Sequence, residues 1–239
     1  MIEITEWLLA TLVLFAGTVV QGSIGFGVAL IGAPILYWID PGWVPGPMLV
    51  VGMALPLAML IRERQSLDVV GIRWAIPGQL TGAALAAFVL ARVDETHVSL
   101  IFGGLVLLAV VLSVVAGAPK PTGRRLLLGG SLSGFMATAT SIGGPPLALA
   151  YQGVSGARLR ASMSAVFVVG AIGSLSGLAI IGRFGVDELL LGLSLLPGVA
   201  AGFWVSNYTA RLLDRRWLRG AILSVSAVAG LAAVVQSLW

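Results

Sequence analysis

Residues 7–39 form an uncharged apolar run of 33 residues that a single straight membrane helix cannot absorb. Such a helix would measure about 50 Å against a hydrocarbon core of about 30 Å. The run carries its own interruption: Gln21-Gly22-Ser23-Ile24-Gly25-Phe26-Gly27 places three glycines in seven residues. Each costs up to about 1 kcal/mol in a helix interior, so the stretch reads as a break. A second apolar run, residues 126–151, is interrupted at Ser141-Ile142-Gly143-Gly144-Pro145-Pro146. There the prolines remove backbone donors and push Gly144 out of the helical region.

The two breaks are copies. Ser23-Ile24-Gly25 recurs as Ser141-Ile142-Gly143, Asp68 as Asp187, Pro77-Gly78-x-x-x-Gly82 as Pro197-Gly198-x-x-x-Gly202, and Arg92 as Arg211, at offsets of 118 to 120 residues. Repeated hydrophobic halves with interrupted segments at corresponding positions are a transporter signature, and the interruptions mark where substrate binds. The expected fold class is an all-α integral membrane protein of two homologous, inverted halves. Residues 1–118 hold the broken segment 7–39 and spans 43–61, 73–91 and 98–116. Residues 119–239 hold the broken segment 126–151 and spans 161–181, 189–208 and 218–238.

Composition supports the membrane reading: 58% of residues are hydrophobic and only 10% charged, more than one soluble core of this length can hide. Net charge is +4, but the basic residues sit in separate loops, so no nucleic-acid surface is implied. Cysteine is absent, which removes disulfides and thiolate chemistry. The start, with Glu3 and Glu6 and no basic residue, is wrong for a cleaved signal peptide, so the first apolar segment is expected to stay.

Loop charge chooses between long tilted helices and hairpins. If both broken segments cross, the 14 Lys and Arg residues split evenly between the faces. If both turn back, Arg62, Arg64, Arg73, Lys120, Arg124, Arg125, Arg158, Arg160, Arg211, Arg215, Arg216 and Arg219 share one face, and only Arg92 and Arg183 lie on the other. The positive-inside rule favours the second arrangement, with both termini periplasmic. One hairpin plus three spans per half is an odd number, which inverts the second half and brings the breaks in from opposite faces.

The stretch Gln21-Gly-Ser-Ile-Gly-Phe-Gly with Gly32-Ala33-Pro34, the charged loop before Arg73-Trp74, Pro77-Gly78 with Gly82, and Ser141-Ile-Gly-Gly-Pro-Pro resemble the sulfite exporter TauE/SafE family, also called the 4-toluene sulfonate uptake permeases. The resemblance covers nearly the whole chain. It implies a bacterial inner-membrane transporter of a small sulfur-containing anion such as sulfite, a sulfonate, sulfoacetate or thiosulfate; it leaves the direction open, and export is ranked slightly ahead of uptake.

The residues themselves suit an anion. A broken membrane helix exposes backbone N–H groups at the start of its second part, and these hold an anion without a formal charge. In the first break the expected substrate ligands are Gln21, Gly22, Ser23, Gly25 and Gly27; in the second, Thr138, Thr140, Ser141, Gly143, Gly144 and Pro145. Ser131, Ser133 and Thr138 have an alternative, bonding their own helix carbonyls. Gln79 and Thr81 are candidates for the cavity wall or for interhelical bonding, Tyr151 and Gln152 for a gate, and Arg160 with Arg158 for drawing an anion in or for anchoring at headgroups. His97, beside Asp94 and Glu95, reads as a solvated loop residue.

No buried carboxylate, cysteine, phosphate loop or metal-ligand cluster is visible, so neither an enzyme, a cofactor nor ATP-driven transport is expected. Secondary transport by alternating access remains, with H+ or Na+ as coupling ion and a homo-oligomer allowed. An anion channel and an accessory membrane subunit are the competing readings, and the paired polar breaks speak against the accessory subunit.

Overall fold

The computed structural model describes residues 3–24, 28–114, 121–154, 156–209 and 215–236. Among them all regular structure is helical: α1 (Ile4–Ile24), α2 (Val28–Ile39), α3 (Gly46–Glu63), α4 (Val69–Leu90), α5 (Glu95–Val114), α6 (Gly123–Thr140), α7 (Gly144–Ala150), α8 (Gly156–Ile180), α9 (Val186–Thr209) and α10 (Arg215–Gln236). Among the described residues five stretches are long and apolar enough to cross a membrane: Ile4–Gln21, Pro41–Ser66, His97–Val114, Gly156–Ile180 and Val186–Ser206. Leu8, Leu12, Leu85, Phe88, Ile180, Trp204 and Val228 are all exposed. Large apolar side chains facing outward on so many helices are what lipid solvates.

Both over-long runs fold back on themselves. A Cβ at Gly17 would stand 3.5 Å from the Val28 Cα, whereas one continuous helix would hold these residues about 16 Å apart. In the second run Ser133 Oγ donates to the Gly143 carbonyl at 2.7 Å, so α7 lies alongside α6. The arms are unequal. At 1.5 Å per residue the 21 residues of α1 measure about 31 Å and the 12 of α2 about 18 Å; the 18 of α6 measure about 27 Å and the 7 of α7 about 10 Å. One arm of each hairpin thus has spanning length, and the other returns part of the way. The connection after α2 lies inside the protein, where Trp43 is fully buried.

Local chemistry accounts for the ends. Thr122 Oγ1 accepts from the Arg125 N–H and caps α6. Pro145 and Pro146 occupy the first turn of α7, where their missing N–H groups have no intrahelical partner to lose.

Each half seats its Pro-Gly-x-x-x-Gly helix on the first hairpin arm of the other half. In α4, Gly78 and Gly82 meet the Leu127 and Ser131 carbonyls of α6, while Gly130 and Gly134 of α6 meet the backbone at Ala75 and Gln79. In α9, a Cβ at Gly198 would lie 2.6 Å from Thr11 Cγ2 of α1, and one at Gly202 2.5 Å from the Phe15 carbonyl oxygen. No side chain fits at these contacts, and such small-residue seams let membrane helices pack through their backbones. α3 packs on α8 and α5 on α10. The largest apolar cluster draws on both hairpins, with Leu14, Val28 and Leu30 from one and Met136 and Ile142 from the other.

The ends of the molecule differ in charge. Arg158 bonds Asp68, Arg160 bonds Glu63, and Gly123 abuts the Trp74 ring, which gathers the end of α3 and the starts of α4, α6 and α8 at one end. At the other end Ile4, Trp7, Asp40 and Asp187 line one cavity, and Arg183 donates to the Val93 carbonyl at 3.2 Å. The first is the basic end and the second the acidic end.

Candidate functional site

The second break combines open backbone with constrained side chains. Ser141 caps α6 in the left-handed region at φ 63°, its N–H donating to Ala137 O at 2.7 Å and its Oγ to Pro45 O at 3.0 Å. A serine held at positive φ costs of order 1 kcal/mol, and here it closes the C-terminus of α6. Thr140 is fully buried, its hydroxyl donating to Met136 O at 2.8 Å and accepting from the Ile142 N–H at 3.2 Å. Gly143 and Pro145 are buried, and Gly144 is half-buried with open space where a side chain would stand. Gly143 lies level with Ser133, ten residues along α6 from Gly123, so α7 starts about 15 Å up an arm of about 27 Å. That is roughly half depth.

A polar cluster surrounds this level. Thr138 is fully buried and donates to Gly134 O at 2.8 Å, so the 2.7 Å contact with the buried Ser174 of α8 takes its proton from Ser174. Gln79 is 1% exposed, packs its amide against Gly170 of α8, and has no hydrogen-bond partner for Oε1. A buried amide oxygen without a protein partner is costly to hold there. Thr81, by contrast, is exposed and bonds its own helix at Pro77 O, 2.7 Å away.

In the first break, Gln21 is half-buried and its Oε1 accepts from the Val28 N–H at 2.9 Å, so this side chain caps α2. Gly22 and Ser23 belong to the last turn of α1, while Gly25 and Gly27 lie outside the described residues.

The remaining candidates gather at the basic end. Tyr151 is fully buried at the end of α7 with no partner for its hydroxyl, and the half-buried Gln152 has none for its buried Oε1. Arg160 makes three bonds to the Glu63 carboxylate, the shortest 2.8 Å. Thr140, Ser141, Gly143 and Gly144 therefore meet at one place, Gln79 and Thr138 border the α8 face of α6, and Tyr151, Gln152 and Arg160 stand apart from both.

Three contributors were not singled out for their roles from sequence. Ser133 crosses to the opposite arm instead of bonding its own helix, Ser174 completes the Thr138 pair, and Asp68, against the expectation of no buried carboxylate, is buried where α8 packs on the start of α4 and anchors Arg158. Asp68 did carry a signal, its recurrence as Asp187. Among the described residues no group of three or more His, Cys, Asp or Glu is placed to hold a metal.

The family model described as "Sulfite exporter TauE/SafE" matches residues 9–233. No curated protein and no solved structure matches the chain.

Proposed function

The chain belongs to the sulfite exporter TauE/SafE family, a family of membrane transporters and not of enzymes, and on that basis we propose that it is a secondary carrier of a small sulfur oxyanion or organosulfonate in the bacterial inner membrane. The observation that carries this reading is the family match over nearly the whole chain. The substrate meets the second break at half depth, where the Gly144 backbone lies open beside the buried Gly143 and the Ser141 and Thr140 hydroxyls are close at hand. The first break contributes Ser23, Gly25 and Gly27 from the other hairpin. A set of neutral donors favours an oxyanion over a divalent cation, which would ask for carboxylate, thiolate or imidazole.

The two halves act as inverted copies in this reading. What supports it is the reversed start of the hairpins, α1 at the acidic end and α6 at the basic end, together with the reciprocal seating of α4 on α6 and α9 on α1. Rocking one half against the other would then expose the half-depth site to each face in turn. The basic end lies in the cytoplasm, and net movement is export.

The experiment is a thermal-shift screen of purified protein against sulfite, thiosulfate, sulfoacetate, taurine, sulfate and nickel. A ligand of the folded state raises the melting temperature, and raises it more the tighter it binds. A sulfur anion is expected to give the largest shift. Stabilisation by nickel alone would overturn the anion assignment.

A further inference from the structure

Two arginines at the start of α8 reach across to the first half of the chain. Arg158 Nη2 bonds Asp68 Oδ1 at 2.8 Å, and Arg160 Nε and Nη2 grip Glu63 at 3.1 and 2.8 Å. Both carboxylates are nearly covered, with side chains 9% and 11% exposed, while the guanidiniums arrive from solvent. The elbow between α3 and α4 is pinned as well, because the Asp68 N–H donates to Ser162 Oγ at 2.9 Å. Directly inside this contact lies Tyr151, whose fully buried hydroxyl stands beside the Asp68 carboxylate without bonding it.

The acidic end has the matching aspartate without a matching ion pair among the described residues. Asp187, the repeat counterpart of Asp68, is exposed and forms no ion pair among the described residues. It borders an open cavity of about 680 Å³ with Trp7, Asp40, Glu188 and Ser194. Among the described residues one end is held by two ion pairs, whereas the other is joined by the Trp7 Nε1 bond to Ser194 Oγ at 2.9 Å and the Arg183 bond to the Val93 carbonyl, with no carboxylate engaged in either contact.

We propose that the Arg158–Asp68 and Arg160–Glu63 pairs, with Tyr151 beneath them, form the gate of the basic end, closed in this conformation. To open that end, the first turns of α8 must part from the α3–α4 elbow, breaking both pairs and wetting the Tyr151 hydroxyl. Partly covered ion pairs are well matched to such a gate, because they hold when shut, yet each guanidinium is already half in water and rehydrates readily. The gate rests on the carrier reading, but its test does not require transport.

Gly144→Cys introduces one thiol into a chain without cysteine, at a half-depth position with room for it. Its reaction with a membrane-impermeant maleimide is measured from the basic face in oriented vesicles, with no substrate present. Glu63→Arg, which sets two guanidiniums against each other, is expected to raise the labelling rate at least about tenfold through a shift in conformer population. The exchange Glu63→Arg with Arg160→Glu is expected to return it to within about twofold of the parent. If Glu63→Arg does not insert, Arg160→Gln, which removes an exposed side chain, is expected to raise labelling about threefold. An unchanged rate in whichever of these variants inserts, or a rise that the charge exchange leaves in place, overturns the gate. A failure of the carrier reading would show separately, as absence of anion exchange by the parent protein with these labelling results intact.

Discussion

Asp68 and Asp187 stand at the same place in two copies of one sequence unit, just before or within the first turn of α4 and α9, yet they live in different surroundings. Asp68 is buried against Arg158 and Ser162, whereas Asp187 is exposed at the mouth of a cavity. Local sequence does not produce that difference. Asp68 meets Arg158 and Ser162 of α8, whereas Asp187 meets no ion-pair partner among the described residues. The seams at Gly78 and Gly82 and at Gly198 and Gly202, by contrast, are alike, each setting the glycines of one helix against the first arm of a hairpin.

The largest effect is expected where the glycine seams are attacked. Gly82→Val would drive a branched side chain into the Ser131 carbonyl and the Phe135 amide, 2.8 Å from the Cβ position. Overpacking of this kind costs about 1–3 kcal/mol and more against rigid backbone, so loss of monodisperse protein in detergent is predicted. Gly104→Val, at a site with nothing within 4 Å, should leave the elution profile unchanged. Equal behaviour of the two would mean that the seam does not organise the fold.

Next comes the comparison of the aspartates themselves. Asp68→Asn weakens a nearly buried ion pair and is predicted to cost about 1–3 kcal/mol, seen as a drop of a few degrees in melting temperature. Asp187→Asn should stay within about 0.5 kcal/mol of the parent, as exposed substitutions usually do. Equal losses would erase the contrast between the ends.

Ser141→Ala removes one neutral hydrogen bond, worth about 0.5–1.5 kcal/mol, and is predicted to weaken sulfite binding by no more than about tenfold in a thermal-shift titration. A larger loss would give the hydroxyl a heavier role than the adjacent backbone.

The smallest effect belongs to the acidic end. The exposed Asp94 carboxyl is held below its ordinary 3.8 by hydrogen bonds from the His97 side chain and backbone. A carboxyl lowered in the folded state contributes stability above its unfolded pKa and loses it as pH falls through the folded one. The parent should therefore lose slightly more melting temperature between pH 6 and pH 3 than Asp94→Asn, and the opposite order would show that the Asp94–His97 contact does not stabilise the fold.

Much of this architecture was legible in the chain because membrane helices obey length and charge rules that need no tertiary information. Gly143-Gly144-Pro145-Pro146 stops one helix and starts another wherever it is placed, and the arginine distribution matches the grouping of Arg62, Arg158 and Arg160 at one end and Arg183 at the other. The unequal arms were not legible, since nothing local to residues 7–39 fixes how far α2 returns before Trp43 is buried. The Asp68–Arg158 pair was equally hidden, because its partners are 90 residues apart and charge alone does not say which arginine meets which carboxylate. Gln21 illustrates the site: its need for a partner inside the membrane was readable, but that the partner is the Val28 amide depends on the turn geometry.

A half-depth anion site visited from both faces is tested most stringently by counterflow in proteoliposomes. Labelled sulfite outside is followed after loading the lumen with unlabelled sulfite, for the parent and for Gly143→Leu, whose added side chain would meet Ala137 Cβ and Ser133 Oγ at about 3 Å. Saturable uptake of label, stimulated by internal sulfite, is predicted for the parent, and none for an inserted Gly143→Leu protein. Uptake by the parent that neither saturates nor responds to internal sulfite, or normal counterflow by Gly143→Leu, would contradict such a site.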